Sequence, residues 1–149
     1  KNINKKDFKK FHPSGNLGAQ LRTVEELMIT GNKIPFVNEN LNMKKALQII
    51  SSKKLGTLIV QNNKRATTGI ITDGQIRRFN TMGNNLQDLS VKKVMTKNPI
   101  SINQDTLAEK ALSIMNTKKI TSLFIHKDKN TKKTIGILHI HNILKSNIH

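Results

Sequence analysis

The feature that most constrains the fold is an internal repeat with a period of about 65–67 residues. Short segments of the first copy recur in the same order in the second. The matched pairs include Val24–Met28 with Val91–Met95, Lys45–Ile50 with Lys110–Met115, Gly56–Val60 with Thr121–Ile125, and Gly69–Ile71 with Gly136–Leu138. A period of this length is too long for a solenoid. The chain is therefore predicted to hold two copies of one small domain.

Within each copy the apolar residues predict the element order β-α-β-β-α. A short extended segment at Pro35 or Pro99 precedes a stretch with apolar residues at i, i+3 and i+4, which indicates an amphipathic helix. For the second of these helices, Thr106 and Glu109 have the spacing of a capping box. Two apolar runs follow, and the second leads into a short helix. The predicted fold class is α/β (α+β), with the two units packed with pseudo-two-fold symmetry, because about 60 residues alone are marginal.

Composition narrows the functional classes. The 149 residues include no cysteine, which excludes a disulfide framework and a thiolate zinc site. No apolar run approaches the roughly 20 residues of a membrane span, and the first residues lack a signal-peptide core, so a cytoplasmic protein with no membrane partner is expected.

The net charge of +17 permits nucleic-acid binding, but Lys is spread along the chain and Tyr and Trp are absent. Coding bias toward lysine is the alternative explanation of the charge. The expected partner is a small anionic metabolite and not a nucleic acid.

Two pairs in the first copy are candidate ligand contacts. Thr72 and Asp73 follow a predicted strand and precede a helix, where they serve either as an anion or hydroxyl site or as simple N-caps. Arg77 and Arg78 are the one adjacent arginine pair, and the planar guanidinium suits carboxylate or phosphate. The alternative for this pair is a solvated helix face.

The second copy offers a different set. His139 and His141 suggest a metal site, but zinc needs further ligands and no carboxylate lies near in sequence, so no metal is predicted. One of these histidines is a candidate hydrogen-bonding partner of a ligand, and packing or capping is the alternative. Thr121 and Ser122 open a strand facing the presumed ligand cleft, although buried hydroxyls bonded to backbone are the favoured interpretation.

The repeated Val-x-x-Val/Leu-Met opening and the Gly69–Asp73 segment resemble a pair of cystathionine-β-synthase (CBS) domains, over residues 24–149. The resemblance implies a regulatory ligand, often an adenine nucleotide, in clefts between the copies. The family usually has an acidic residue three positions after the Thr. Here Gln75 stands there, and in the second copy His139 replaces the Thr and Asn142 the acid. These departures argue against adenosine phosphates, although an amide still bonds a sugar hydroxyl.

A narrower resemblance is to the C-terminal part of bacterial arabinose-5-phosphate isomerases, in which a sugar-isomerase (SIS) domain precedes a CBS pair. The segments that carry it are Phe11–Gly18, Thr72–Arg78, Ile120–Ser122 and Gly136–Leu144. The resemblance implies that residues 1–23 are the tail of a missing SIS domain with a linker, that 24–88 form CBS domain 1 and that 89–149 form CBS domain 2. His12 would be an acid/base residue of the parent enzyme, and this chain alone would be inactive.

The parent would interconvert ribulose 5-phosphate and arabinose 5-phosphate for Kdo and lipopolysaccharide synthesis. The chain is accordingly predicted to be a regulatory module that needs no cofactor, binds a nucleotide or a CMP-sugar such as CMP-Kdo, and forms a homodimer, with a tetrameric parent. Three alternatives stay open: an oligomerisation module without ligand, a stand-alone adenine-nucleotide sensor, and an isomerase in its own right. The predicted ligand-binding residues are Thr72, Asp73, Gln75, Arg77, Arg78, Thr121, Ser122, His139, His141 and Asn142.

Overall fold

A computed structural model describes residues 21–53, 55–83 and 85–145. His12 and the Phe11–Gly18 segment lie outside these residues. The described helices are α1 (Val24–Leu27), α2 (Met43–Lys53), α3 (Asp73–Thr81), α4 (Val91–Val94), α5 (Ala108–Lys118) and α6 (Ile140–Leu144). The described strands are β1 (Phe36–Asn38), β2 (Thr57–Gln61), β3 (Thr67–Thr72), β4 (Thr96–Lys97), β5 (Ser101–Asn103), β6 (Ser122–His126) and β7 (Gly136–His139).

The described residues divide into two compact units, each with its own sheet and core. Unit A comprises 30–100 and 128–134, and unit B comprises 21–29, 101–127 and 135–145. Unit A has the strand order β1-β2-β3-β4, and unit B has the order β5-β6-β7. In both units the first strand is parallel to the second and the next pair is antiparallel. The crossover between the parallel strands is a helix, α2 or α5, as the apolar spacing predicts.

Each core lies between the sheet and the apolar face of its crossover helix. In unit A, Met43, Ala46 and Ile50 of α2 are buried with strand residues. In unit B, Ala108, Ala111 and Met115 of α5 take the same place. The i, i+3, i+4 spacing therefore puts one stripe of each helix into the core, where burying each large apolar side chain contributes about 1.5–3 kcal/mol.

The predicted capping box of Thr106 and Glu109 is wrong. Helix α5 begins at Ala108, and its N-cap residue Leu107 makes no side-chain capping bond. The Ala108 amide donates instead to the Arg22 carbonyl at 2.8 Å. A backbone group from the segment before α1 satisfies this first helical amide, so no side-chain cap is needed there.

The repeated Val-x-x-Val/Leu-Met openings are exchanged between the two copies. The first opening packs in unit B, where Met28 lies against Gly136 and the Ile29 and Ile137 backbones pair. The second packs in unit A, where Met95 lies against Gly69. The compact units are thus not continuous in sequence, and each joins the strands of one copy to the opening segment of the other.

Gly69 is the glycine at which an added methyl group would be most costly in unit A. That methyl would lie 2.6 Å from Met95 Sδ and 2.7 Å from the Thr96 carbonyl oxygen, which belongs to the paired backbone. We expect Gly69→Ala to lower the free energy of unfolding by about 1–3 kcal/mol, the usual cost of overpacking.

The control for this prediction is Gly74→Ala. At Gly74 the nearest atom to an added methyl would be 3.6 Å away, so alanine should be neutral or stabilising in α3. Urea unfolding followed by circular dichroism at 222 nm gives both values. Equal stabilities for the two variants would contradict the packing argument.

No helix in the described part of the chain is long and apolar enough to cross a membrane.

Candidate functional site

The β3–α3 junction holds five of the predicted site residues. Thr72 ends β3 and is the N-cap of α3, and its hydroxyl accepts a hydrogen bond from the Gln75 amide at 3.3 Å. Gln75 Oε1 in turn accepts from the Thr72 amide at 2.9 Å, which completes a capping box. The Asp73 amide donates to the Gly56 carbonyl at 3.1 Å. Thr72 is therefore an N-cap, as the alternative interpretation of this residue predicts. Helix α3 begins at Asp73, two residues before Gln75.

Gln75 is almost entirely enclosed, with 6% of its surface exposed. Its Nε2 donates to the Val94 carbonyl at 3.3 Å and also to the Thr96 hydroxyl. With Oε1 held by Thr72, every polar group of this side chain already has a partner. The structure thus gives Gln75 a structural role, since it links the start of α3 to the end of α4 and the start of β4.

Arg77 and Arg78 both fold back toward the start of α3. A methyl group at Gly74 would lie 3.6 Å from Arg78 Nη1 and 4.0 Å from Arg77 Nη2. Both side chains are exposed, and neither forms an ion pair or side-chain hydrogen bond within the described residues. Two unpaired guanidinium groups thus converge beside the positive end of a nine-residue helix, an arrangement that attracts an anion.

Gly74 is the residue at this junction that the sequence analysis missed. Because it has no side chain, the approach to the two guanidinium groups beside the first turn of α3 stays open. The available signal was a glycine between the candidate N-cap pair Thr72-Asp73 and the predicted helix, since glycine has a low helix propensity and leaves the backbone open to approach. The neighbouring Asp73 carboxylate is exposed, and it is the acidic group of the first turn.

The β7–α6 junction is the equivalent place in unit B. His139 ends β7 and is the N-cap of α6, and its Nδ1 accepts from the His141 amide at 3.1 Å. Asn142 Oδ1 accepts from the His139 amide at 2.8 Å. The two imidazole rings are stacked with centroids 4.7 Å apart. Partial burial lowers the pKa of His139, and the nearby charge of His141 lowers it further.

Thr121 and Ser122 lie beside the same junction. The Thr121 carbonyl accepts from the Ile140 amide at 2.8 Å, and Ser122 is opposite His139 in the β6–β7 register. Thr121 is exposed and Ser122 half-buried, and neither hydroxyl has a hydrogen bond within the described residues. The interpretation of these as buried hydroxyls bonded to backbone is therefore wrong, because the start of β6 reaches the surface.

The ten predicted ligand-binding residues thus form two sets of five, one at each strand-to-helix junction. Unit A holds Thr72, Asp73, Gln75, Arg77 and Arg78, and unit B holds Thr121, Ser122, His139, His141 and Asn142. No group of three or more His, Cys, Asp or Glu suited to a metal ion occurs among the described residues. The repeat therefore builds the same backbone corner twice with different side chains.

Comparison with known proteins identifies the family of this chain. The model of the CBS domain family matches residues 24–80 and 91–148, which is more than half of the chain. The chain belongs to the CBS domain family. The two matches make it a CBS pair, as the repeat and the resemblance predict.

Among curated relatives, the CBS pair is similar to arabinose 5-phosphate isomerases named KdsD. The enzyme from Francisella tularensis is 40% identical over 147 residues, which cover 97% of this chain and 44% of the relative. The enzyme from Escherichia coli K12 is 34% identical over 143 residues, covering 95% of this chain and 43% of the relative. The CBS pair therefore spans less than half the length of these relatives.

Solved structures confirm the predicted fold class. An uncharacterized conserved protein from Pyrococcus horikoshii superposes with a TM-score of 0.76 at 22% identity, covering 87% of this chain and 95% of that one. The CBS pair of protein MJ0100, in complex with 5′-methylthioadenosine and S-adenosyl-L-methionine, gives 0.74 at 17% identity, covering 84% and 94%. CBSX2 in complex with AMP gives 0.71 at 22% identity, covering 83% and 94%. At these identities the likeness shows the fold.

Proposed function

We propose that this CBS pair is the ligand-sensing, regulatory part of an arabinose-5-phosphate isomerase, and that it binds a small anionic nucleotide or nucleotide-sugar. The similarity to the KdsD enzymes supports this assignment of the parent enzyme. The parent would interconvert ribulose 5-phosphate and arabinose 5-phosphate for Kdo and lipopolysaccharide synthesis. The convergence of the two unpaired guanidinium groups on the first turn of α3 is the observation that carries the ligand class.

The charge arrangement favours a ligand with more than one acidic group. Each guanidinium can form a bidentate pair with a phosphate or carboxylate, and bonds to charged groups contribute about 1.5–3 kcal/mol each. CMP-Kdo carries both a phosphate and a carboxylate, and as a downstream product it would be a logical feedback signal. The chain's net charge of +17 would also raise the local concentration of such an anion.

AMP is the second candidate ligand, because CBSX2 is solved in complex with it. Two features of this chain weigh against an adenosine phosphate. Gln75 stands where the family usually carries an acid for the ribose hydroxyls, and its amide is fully occupied inside unit A. In unit B the same position is Asn142, whose carbonyl oxygen is held by the His139 amide.

Regulation requires that the ligand bind two states of the parent with different affinity. We propose that the parent is tetrameric, that the CBS pairs meet as homodimers, and that occupancy biases the attached SIS domains. The CBS pair itself needs no cofactor under this proposal and has no isomerase activity. Incubation with ribulose 5-phosphate should give no turnover, and turnover would establish it as an enzyme in its own right.

Ligand binding is tested by thermal unfolding of the CBS pair with CMP-Kdo, CMP, AMP and ATP. At 100 times Kd a ligand adds about 2.7 kcal/mol to the free energy of unfolding, which is several degrees in Tm for a chain of this size. We expect CMP-Kdo to give the largest shift. We expect the double variant Arg77→Ala with Arg78→Ala to abolish it, since losing two charge-assisted contacts weakens binding by about 100-fold or more.

The matched control is Lys92→Ala with Lys93→Ala. These adjacent lysines on α4 are exposed and in the same unit, so the control removes the same charge at a different place. If both double variants lose the ligand-induced Tm shift equally, the shift depends on net charge and not on a site at Arg77 and Arg78. No shift with any of the four ligands would favour the oligomerisation module without ligand, and a larger shift with AMP or ATP would favour the adenine-nucleotide sensor.

A further inference from the structure

The two strand-to-helix corners use the same backbone geometry with chemically different caps. In unit A the acceptor is the Thr72 hydroxyl, which keeps its lone pairs at every physiological pH. In unit B the acceptor is Nδ1 of His139, which accepts the His141 amide at 3.1 Å only while that nitrogen carries no proton. The imidazole is therefore in the tautomer protonated at Nε2, and a second proton would remove the cap.

Three features around His139 oppose that second proton. The ring is partly buried, it is stacked on His141 at 4.7 Å, and it caps the positive end of α6. The ionisable residues on the neighbouring elements are Glu25 and Glu26 on α1, Glu109, Lys110 and Lys118 on α5, His126 on β6 and Lys145 after α6. None of them forms an ion pair with His139 within the described residues, and Glu26 is paired with Arg22. The imidazolium would thus have no ion-pair partner in the part of the chain that the structure describes.

We propose that the second CBS repeat contains a proton-sensitive helix cap, in which protonation of His139 releases the His141 amide and loosens the start of α6, while the Thr72 cap of the first repeat is unaffected. This inference is independent of ligand binding. It makes the two repeats respond differently to mild acid, although they share one fold.

The lowered pKa of His139 determines how the stability of the cap changes with pH. Since the pKa of His139 is lowered from 6.5, the unfolded chain takes up the proton before the folded chain does. The cap contributes its full stability above pH 6.5. That contribution is lost as the pH falls from 6.5 through the lowered pKa of the folded state.

Amide hydrogen exchange of the whole chain, measured by NMR between pH 7.5 and 5, tests the proposal at single bonds. After correction for the intrinsic rate, we expect protection of the His141 amide to fall about 2- to 30-fold at low pH, the range for loss of an N-cap. Protection of the Gln75 amide, which donates to Thr72, should stay constant. The loss should follow the imidazole titration of His139, recorded from its ring carbon and nitrogen shifts.

Exchanging the N-cap residues of the two repeats gives the matched variants. His139→Thr should keep α6 protected at pH 5. Thr72→His should make protection of the Gly74 amide pH-dependent, because Gly74 stands two residues after position 72 as His141 does after His139. If His139→Thr fails to fold, Thr72→His together with the wild-type titration decides the matter. Unchanged protection of the His141 amide while His139 titrates would overturn the proposal, as would the same pH-dependent loss in His139→Thr.

Discussion

Leu138→Ala is expected to lower the free energy of unfolding by about 2–5 kcal/mol, the largest effect among the substitutions considered. Leu138 lies in the middle of β7, is fully buried and is opposite Leu123 of β6 in the register. Truncation removes three carbon atoms from a closely packed cluster that also contains Met115 and Ile143. The cost combines the lost transfer free energy with the cavity left behind, because the pairing of β7 with β6 limits the collapse.

Leu144→Ala is the matched control, since this leucine is on α6 of the same unit and is 44% exposed. Its effect should stay within about 0.5 kcal/mol. Urea unfolding followed by circular dichroism is the measurement, because the chain has no Tyr or Trp to serve as a fluorescent probe. A Leu138→Ala cost below 1 kcal/mol, comparable to the control, would mean that unit B is not packed as described.

Gln75→Leu is expected to cost roughly 2–4 kcal/mol, since a buried polar group left without a partner costs about 1–3 kcal/mol. Leucine is close in size to glutamine but makes none of its hydrogen bonds. The Val94 carbonyl loses its Gln75 donor, and the Thr72 amide loses its acceptor. The substitution therefore breaks the capping box of α3 and the link to the α4–β4 segment together.

Gln48→Leu is the control for this prediction. Gln48 is an exposed residue of α2 whose side chain makes no hydrogen bond within the described residues, so the same substitution should change stability little. Gln75→Glu separates the two roles of the amide. An ionised glutamate keeps the acceptor for Thr72 but has no hydrogen to donate to the Val94 carbonyl. Equal stability of wild type and Gln75→Leu would contradict the structural role assigned to Gln75.

Local patterns predicted the helices and strands well and their ends less well. The second-copy helix was expected to begin at a Thr106–Glu109 box, yet the Arg22 carbonyl caps Ala108. In the first copy, the polar Thr72-Asp73 pair correctly marked the start of α3. The difference is that the Thr72 cap is made within four residues of sequence, whereas the Ala108 cap is made by a residue 86 positions earlier.

In the candidate site, too, the sequence predicted some features correctly and the tertiary structure decided others. The sequence suggested Arg77 and Arg78 as anion contacts, and the structure adds that both guanidinium groups turn toward Gly74. The sequence also suggested Gln75 as a ligand contact, and the structure gives its amide to Val94 and Thr96 instead. Residue type indicated the chemistry of each group, but the partners available to it depend on elements some twenty residues away.

By itself, the sequence determined the repeat, the β-α-β-β-α order in each copy and the CBS family, because all three are carried by local periodicity and by motifs read in order. Only the tertiary structure decided which segments pack together. Met28 lies on Gly136 and Met95 on Gly69, so each opening segment completes the unit built from the other copy's strands. Both copies have a glycine against which the methionine of an opening segment could pack. Long-range packing decides which methionine packs on which glycine, and no local pattern encodes that choice.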